Sequence, residues 1–189
     1  GGKVVPPKSS SEPVVGLYNS RNPAQVVVQG NFRLTDEAGH DVRHIIFNIG
    51  DAAVPVLEGQ TIGIIPPGLD INRKAHNARL YSVSNPRDGE RPGYNNISLT
   101  VKREEKGVCS NYLCDLNKGD TVDIIGPFGS TFLMPDDPSA HLLMICTGTG
   151  SAPMRAFTMR RQRSVTNNSG GMTLFFGARN SGSLPYFGP

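Results

Sequence analysis

The sequence is poor in cysteine, and its few cysteines form no recognisable framework. The 189 residues include Cys109, Cys114 and Cys146, an odd number that is too small for a set of disulfides. Four residues separate Cys109 from Cys114, and neither a second pair nor a nearby histidine accompanies them, so no metal site is predicted. The cysteine content favours a reducing compartment and predicts a cytoplasmic protein.

Long apolar runs and strong charge are also missing. The longest apolar runs, such as residues 142–146, are far too short to cross a bilayer. The polar residues 1–11 do not resemble a signal peptide, so no membrane association is expected. The net charge of +3 suits phosphate-bearing ligands or an acidic partner. It is too weak to indicate nucleic-acid binding.

Short β-rich runs between turn residues dominate the first two thirds of the chain. Residues 1–13 contain three prolines and three serines and are interpreted as a linker or exposed lead-in. The predicted strands cover residues 26–28, 45–49, 61–65, 79–83, 97–102 and 121–125, and a short helix is predicted over 110–116. This pattern predicts an antiparallel β-barrel or sandwich domain over residues 14–136.

The pattern changes after a break near Asp136. An apolar strand over 142–146 is followed by a glycine turn, a helix over about 152–163 and a second apolar strand over 172–176. This order predicts the first βαβ unit of a Rossmann-like α/β domain over residues 137–189. Because such a domain needs further strands, the sequence is expected to be a fragment of a longer protein.

The phrase Arg79-Leu80-Tyr81-Ser82 lies on a predicted strand. Strand alternation places Arg79 and Tyr81 on one face and turns Leu80 into the core. The Arg79 guanidinium can bind a pyrophosphate through two hydrogen bonds. Tyr81 can stack on a planar ring, and the Ser82 hydroxyl can reach a ring heteroatom. The alternative is an edge strand with ordinary alternation.

Two glycine-containing phrases follow in the order that a dinucleotide site needs. Gly107-Val108-Cys109-Ser110-Asn111 leads into the predicted helix, where free backbone N–H groups bind anions, although a plain N-cap explains it as well. Thr147-Gly148-Thr149-Gly150 links an apolar strand to a helix but lacks the third glycine of the usual fingerprint. A flavin followed by a nicotinamide cofactor would use all three phrases.

Two further groups of polar residues are interpreted as structural. The arginines at 160, 161 and 163 can meet a phosphate, but a solvated face that complements the helix dipole is favoured. The four histidines share no spacing typical of a metal site or catalytic triad and are interpreted as surface or loop residues. They are His40, His44, His76 and His141.

These phrases resemble the plant-type ferredoxin–NADP⁺ reductase family. The resemblance runs from about residue 25 to residue 189 and rests on four ordered motifs, at residues 79–82, 107–116, 126–129 and 147–155. Within the family, Ser151, Met154 and the stretches 128–133 and 184–189 are most similar to reductase components of bacterial benzoyl-CoA epoxidases.

The resemblance implies an antiparallel FAD-binding barrel joined to the start of an NADP-binding domain. It implies FAD and NADPH as cofactors, and electron transfer to an iron–sulfur module or ferredoxin and an oxygenase component in aerobic benzoyl-CoA breakdown. The alternatives are a general ferredoxin- or flavodoxin–NADP⁺ reductase and a non-catalytic flavin-binding module.

The resemblance also implies a role for each site residue. Arg79 would bind the FAD pyrophosphate, Tyr81 would stack on the isoalloxazine, and Ser82 would act in catalysis by hydrogen-bonding near N5. Further FAD contacts are implied at Leu80, Gly107, Val108, Cys109 and Ser110. Contacts to NADP⁺ are implied at Val101, Lys102, Thr147, Gly148, Thr149 and Gly150. Only four residues separate Lys102 from Gly107, where the family usually carries a longer loop with an adenine-covering aromatic, so adenine stacking is not assigned.

Overall fold

Six antiparallel strands form the first part of the computed structural model, which describes residues 12–186, so most of the predicted lead-in falls outside it. The strands are β1 (Ala24–Arg33), β2 (Val42–Asn48), β3 (Thr61–Ile65), β4 (Arg79–Ser82), β5 (Asn96–Lys102) and β6 (Thr121–Phe128). Their order in the sheet is β4-β3-β6-β1-β2-β5. Just after β4, Val83 pairs with Leu99 of β5. The two edge strands therefore meet, and the sheet closes into the predicted barrel.

Alternation along the strands fills the barrel with apolar side chains. Ala24, Val26 and Val28 of β1 are buried, and the residues between them are exposed. β5 is different, because residues 96–101 are all buried. Its apolar positions, such as Leu99, belong to the barrel core. Its polar positions lie on the opposite face, which is covered by the second part of the molecule.

A helix, α1 (Val108–Asp115), follows β5 and packs against the barrel core. Leu113 is its fully buried anchor. The Asn31 side chain of β1 donates hydrogen bonds to the carbonyl oxygens of Leu113 and Leu116, which satisfies acceptors that a helix end leaves free. The helix starts at Val108, two residues earlier than predicted, and its beginning faces the end of β4.

The second part of the molecule is a βαβ unit. β7 (Leu142–Thr147) leads through a 3₁₀ turn at Gly148–Gly150 into α2 (Ser151–Arg163), and β8 (Met172–Gly177) returns parallel to β7. This is the predicted start of an α/β domain. Phe157 of α2 packs with Met134 and Met144 in a small separate core. Neither helix within residues 12–186 is long and apolar enough to cross a membrane.

The arginines near the end of α2 do not form the predicted solvated face. Arg161 is only 3% exposed, and its guanidinium donates hydrogen bonds to the carbonyl oxygens of Pro138, Ala140 and Gly170. It thereby joins the loop before β7 to the loop before β8. The prediction failed because three loop carbonyls from distant parts of the chain, invisible in the local helix pattern, converge on this side chain.

Candidate functional site

A cleft of about 560 Å³ lies where β4, β5 and α1 meet at the barrel. Nine of the predicted site residues line it. They are Arg79, Leu80, Tyr81, Lys102, Gly107, Val108, Cys109, Ser110 and Thr149. The segment before β4 also contributes to the lining through residues that include Pro66 and His76. This first cleft is large enough for much of a nucleotide cofactor.

The orientation of β4 corrects one expectation. Tyr81 pairs across the sheet with the fully buried Ile62 and packs against the barrel core. Because successive strand residues face opposite sides, Leu80 points away from that core, and it is 59% exposed. The prediction that Leu80 enters the core was therefore wrong. Its side chain is instead part of the cleft wall.

Tyr81 lies beside Cys109 of α1 in the wall of the cleft. Cys109 is buried, and its thiol lies 3.8 Å from the carbonyl oxygen of Ile64, to which it donates. Burial raises the pKa of Tyr81 and the pKa of Cys109, so both groups are neutral near pH 7. The ring of Tyr81 therefore forms a fixed, uncharged part of the cleft wall.

The beginning of α1 offers backbone donors to the same cleft. Gly107 is the N-cap residue, and no side chain caps the helix. The Ser110 hydroxyl is already engaged, since it accepts a hydrogen bond from the Glu104 N–H and donates one to the Gly107 carbonyl. A Cβ atom at Gly107 would lie 2.4 Å from the Ser110 oxygen, so a larger residue there would displace the Ser110 hydroxyl from these hydrogen bonds. The first N–H groups of the helix thus remain available for an anion.

The charges around this cleft also suit a diphosphate. Within residues 12–186, the Arg79 guanidinium forms neither a salt bridge nor a hydrogen bond, and the residue is exposed. Lys102 makes one ion pair, with Glu104 at 3.0 Å, and both of these side chains are accessible to solvent. An unengaged guanidinium opposite an uncapped helix end forms a receptor for a diphosphate, such as the one in FAD. The residues present therefore fit the cofactor.

Two of the predicted site residues on the barrel, Ser82 and Val101, do not line this cleft. Ser82 is the last residue of β4, is partly buried and is not among the residues that line the cleft. Val101 has no exposed surface, because its side chain points into the barrel core from β5. We therefore leave Val101 out of the proposed site.

A second cleft, of about 550 Å³, opens beside the glycine turn after β7. Thr147, Gly148, Thr149 and Lys102 line it, and Gly148 adopts a positive φ of 51° that glycine accommodates readily. Gly150 is the N-cap of α2 and does not line the cleft. Between residues 12 and 186, no group of three or more histidine, cysteine or acidic side chains is arranged to hold a metal ion.

Arg179 is a residue of the second cleft that the sequence reasoning missed. It lies two residues after the end of β8. Ligands of α/β folds bind at the carboxyl ends of parallel strands. Its position relative to the predicted strand at 172–176 was the signal that would have revealed it.

The two clefts share a wall. Lys102, at the end of β5, and Thr149, in the glycine turn, line both of them. A ligand in the first cleft and a ligand in the second would therefore lie next to each other. This contiguity is the main geometric property of the site.

A polar junction fixes the second part of the molecule on the barrel. The Arg155 guanidinium donates two hydrogen bonds to the Glu90 carboxylate, each 2.8 Å long, and one to the Ser84 carbonyl. Arg163 pairs with Asp88 at 2.7 Å. These arginines of α2 reach a single barrel loop, so the junction orients the glycine turn relative to the first cleft.

Tyr186 adds a second link to this junction. Its hydroxyl lies 2.7 Å from His44 Nδ1 of β2 and 2.7 Å from Thr100 Oγ1 of β5, and the Arg155 guanidinium lies over its ring. His44 also contacts Glu90, with 3.0 Å between Nε2 and Oε1. The interpretation of His44 as a surface residue was wrong, because the βαβ unit covers this side of the barrel.

Comparison with known proteins agrees with this architecture. Residues 32–132, more than half of the chain, match the oxidoreductase FAD-binding domain family, and residues 144–187 match the oxidoreductase NAD-binding domain family. The ferredoxin–NADP reductase of the Cyanophora paradoxa cyanelle is 43% identical over 97% of this chain and 54% of that protein. The chain belongs to the plant-type ferredoxin–NADP⁺ reductase family. The family-model matches support FAD and NADP(H) as its cofactors.

Other ferredoxin–NADP⁺ reductases are also similar to this chain over nearly its whole length and over only part of their own. The chloroplastic leaf isozyme 1 of Arabidopsis thaliana is 40% identical over 92% of this chain and 51% of that protein. The Plasmodium falciparum ferredoxin–NADP⁺ reductase structure with 2′P-AMP superposes with a TM-score of 0.76 at 28% identity, over 90% of this chain and 67% of that chain. The chain spans about half the length of the curated relatives it matches.

Proposed function

We propose that this protein is an FAD-dependent reductase that takes electrons from NADPH and passes them to an iron–sulfur protein of the ferredoxin type. The observation that carries the proposal is the shared wall of the two clefts at Lys102 and Thr149. Two redox ligands must lie in contact for a hydride to pass between them. The family matches support the same pair of cofactors.

In the first cleft, Arg79 and the uncapped beginning of α1 hold the FAD diphosphate, and Tyr81 offers its ring to a planar ligand. When bound, FAD supplies the capacity to take up a hydride and to release electrons one at a time. The residues of the barrel bind and orient it. Ser82 adjoins the cleft-lining Tyr81 at the end of β4. It is the proposed catalytic residue, because rotation of its side chain would bring the hydroxyl within hydrogen-bond reach of the reacting edge of the ligand.

In the second cleft, the glycine turn admits the nicotinamide nucleotide close to the backbone. Lys102 and Arg179 supply positive charge for its phosphates. The arginines of α2 keep this cleft in a fixed position relative to the first one. The chain's own contribution to the reaction is therefore mainly orientation.

Anaerobic mixing of the FAD-loaded protein with NADPH tests the proposal. We expect the oxidised flavin absorption to disappear in a single turnover. Flavin that stays oxidised in the presence of NADPH would leave only the alternative of a non-catalytic flavin-binding module.

Ser82→Ala tests the proposed catalytic residue. We expect flavin reduction to slow by roughly ten- to a thousandfold, as for other lost hydrogen bonds at a reacting centre, with little change in FAD affinity. Thr61→Ala, at the position paired with Ser82 across the sheet, is the matched control. An unchanged reduction rate in Ser82→Ala would remove Ser82 from the site.

The identity of the electron acceptor is a more specific part of the proposal. The similarity of residues 128–133 and 184–189 to benzoyl-CoA epoxidase reductase components supports an iron–sulfur module that serves an oxygenase component. The named relatives support a general ferredoxin–NADP⁺ reductase as a second candidate. Reduction of ferredoxin without any support of benzoyl-CoA oxygenation would favour the second candidate. The three buried free cysteines support a reducing, cytoplasmic location.

A further inference from the structure

A continuous row of hydrogen bonds runs from the wall of the first cleft into the junction. Thr100 lines that cleft, and its Oγ1 atom lies 2.7 Å from the Tyr186 hydroxyl. The same hydroxyl lies 2.7 Å from Nδ1 of His44. On its other side, His44 Nε2 lies 3.0 Å from Oε1 of Glu90. Four side chains from four separate segments thus connect the cleft to a carboxylate.

The chemistry of the groups sets the direction of these bonds. The Glu90 carboxylate only accepts, so a neutral His44 carries its proton on Nε2 and donates it to Glu90. Nδ1 of His44 is then an acceptor, and the Tyr186 hydroxyl donates to it. The Tyr186 oxygen in turn accepts from the Thr100 hydroxyl. Every donor in the row therefore points away from the cleft and toward Glu90.

The ionisation of Glu90, at the end of the row, and of Tyr186, within it, agrees with this direction. Burial alone would raise the pKa of Glu90, but hydrogen bonds from His44 and Arg155 outweigh it and lower the pKa to about 2. Glu90 is therefore a carboxylate at neutral pH. Burial raises the pKa of Tyr186 to about 12, which keeps its hydroxyl protonated and able to donate.

The proposed reaction leaves one proton behind in each turnover. NADPH delivers a hydride, which is two electrons and one proton, and an iron–sulfur acceptor takes up electrons only, one at a time. For each NADPH that is oxidised to NADP⁺, two acceptors are reduced and one proton must leave the flavin-side cleft. Water can carry this proton where the cleft is open, but a fixed path carries it without reorganisation.

We propose that Thr100, Tyr186 and His44 form a proton path that leads from the flavin-side cleft to Glu90. The inference rests on the proposed function, because that reaction supplies the proton. Thr100 Oγ1 takes up a proton as its own passes to Tyr186, and Tyr186 passes its proton to Nδ1 of His44. The Nε2 proton of His44 then moves to Glu90, whose side chain is 15% exposed and can release it to solvent. Each group gives one proton for each one it receives.

The charges that face His44 come from two elements. Glu90 lies on the barrel loop before β5, and its Oε1 atom is 3.0 Å from His44 Nε2. The Arg155 guanidinium of α2 lies 5.0 Å from the centre of the Tyr186 ring and pairs with Glu90. Its positive charge disfavours an additional proton on Tyr186 and therefore favours transfer of that proton to His44. The uncharged Tyr186 hydroxyl faces the other side of the imidazole.

The two hydroxyl groups nearest the cleft are the ones to remove. Thr100 contacts Tyr186, and Tyr186 contacts His44. A neighbouring pair, Ser84 and Ser98, lies 2.9 Å apart, and the Ser98 hydroxyl donates to Glu90. The sharpest variants are therefore Tyr186→Phe and Thr100→Val, which remove a hydroxyl and keep the shape.

The test follows proton release and flavin oxidation in the same experiment. The FAD-loaded protein is reduced with NADPH in weak buffer with a pH-indicator dye and is then mixed with ferricyanide, a one-electron acceptor that takes no proton. In the parent, protons and oxidised flavin appear together. In Tyr186→Phe and Thr100→Val, we expect proton release to lag by about tenfold or more while electrons leave at the parent rate.

Two control variants distinguish loss of the proton path from a general disturbance of the structure. Thr100→Ser keeps the hydroxyl and is expected to restore parent behaviour, and Tyr94→Phe changes a tyrosine that is 53% exposed on the barrel surface. A parent that NADPH fails to reduce would contradict the proposed function and the path with it. A parent that is reduced normally, with no proton lag in either hydroxyl-deleted variant, would contradict the path alone.

A measurement without turnover checks the same arrangement. Nitrogen NMR of the FAD-loaded protein reports which imidazole nitrogen of His44 carries the proton. The path requires the Nε2–H form in the parent and a change in the Nδ1 signal in Tyr186→Phe. Two results would overturn the proposed direction of transfer. One is an Nδ1–H form of neutral His44, and the other is an Nδ1 signal that is the same in the parent and in Tyr186→Phe.

Discussion

The barrel and the βαβ unit support their clefts in different ways. The walls of the first cleft, β4 and α1, are anchored in one large apolar core through side chains such as Ile62 and Leu113. The second cleft lies on a two-stranded sheet with only a small core of its own. The other face of that sheet exposes Leu143, Ile145 and Phe175. The flavin side is thus held by apolar packing, and the nicotinamide side depends on its polar contacts with the barrel.

The N-termini of the two helices also differ between the two parts of the molecule. Neither α1 nor α2 has a side chain that caps its N-terminus, but only the start of α1 lines a cleft. At the start of α2, the Ser151 N–H is already bonded to the carbonyl oxygens of Gly148 and Thr149, and Pro153 has no N–H. The start of α1 faces a wall that contains Arg79 and Lys102, whereas the start of α2 follows the glycine turn. Phosphate binding at the first cleft therefore combines a guanidinium with a helix end, and Arg79→Ala, below, tests the guanidinium.

The largest effect is expected from Arg79→Ala, which should act on the flavin side alone. Loss of a charged, bidentate phosphate contact costs about 1.5–3 kcal/mol, which is about a ten- to hundredfold loss of FAD affinity. Flavin fluorescence titration of the apoprotein measures it. Arg91→Ala, at an exposed position of the barrel loop, is the control. Equal FAD affinity in Arg79→Ala and the control would refute the phosphate assignment.

Acid should loosen the junction on which the nicotinamide side depends. The pKa of Glu90 is lowered from 4.5 to about 2, so its carboxylate stabilises the folded state fully above 4.5. That stability, about 1–2 kcal/mol after allowance for partial exposure, is lost as the pH falls from 4.5 toward 2. Denaturant unfolding across this range should show a steeper loss for the parent than for Glu90→Gln.

The control for the pH series is Glu105→Gln, at an exposed position in the short loop before α1. It should retain the steep acid loss of the parent. Identical pH dependence in the parent and Glu90→Gln would mean that the Glu90 carboxylate does not stabilise the junction.

Lys102→Ala should weaken both ligands, because this residue belongs to both clefts. The half-exposed ammonium is worth about 0.5–1.5 kcal/mol to each phosphate group, so FAD and NADP⁺ affinities should each fall about three- to tenfold. Calorimetric titration with each ligand measures this. Lys118→Ala, distant from both clefts, serves as the comparison. An effect on one ligand only would assign Lys102 to a single cleft.

The smallest effect is expected at the far end of the first cleft. The short loop at 103–106 carries no aromatic residue, and His76 is the ring-bearing side chain of the opposite wall. If its imidazole packs on the adenine, His76→Ala should lower FAD affinity about threefold, a cost of about 0.7 kcal/mol. FMN affinity should stay the same, since FMN lacks the adenine. Equal losses for FAD and FMN would contradict the assignment.

Local patterns predicted most of the fold. The strands at 61–65 and 97–102 and the glycine turn at 148–150 were correct nearly to the residue, because alternation and turn residues determine them locally. Barrel closure through Val83 and Leu99 was expected only from the number of strands. The exposed Leu80 shows the limit of alternation, which gives two faces but does not say which one meets the core.

The site was predicted where one segment contains its residues and missed where distant segments converge. Arg79, Tyr81 and the 107–110 phrase share the first cleft as expected from their chemistry. His44, Tyr186 and Glu90 come from three separate segments, and no spacing in the sequence relates them. Their association follows from the docking of the βαβ unit on the barrel, which is a tertiary property.

The contact between the two clefts is the central claim, and a spectral titration tests it most directly. The FAD-loaded protein is titrated with NADP⁺ while flavin absorption and heat of binding are recorded in parallel. Because Lys102 and Thr149 line both clefts, the flavin spectrum should shift with the same dependence on NADP⁺ as the heat of binding, and Lys102→Ala should weaken both signals together. Saturable heat of binding with an unchanged flavin spectrum would show that the two ligands do not meet, and would contradict the account.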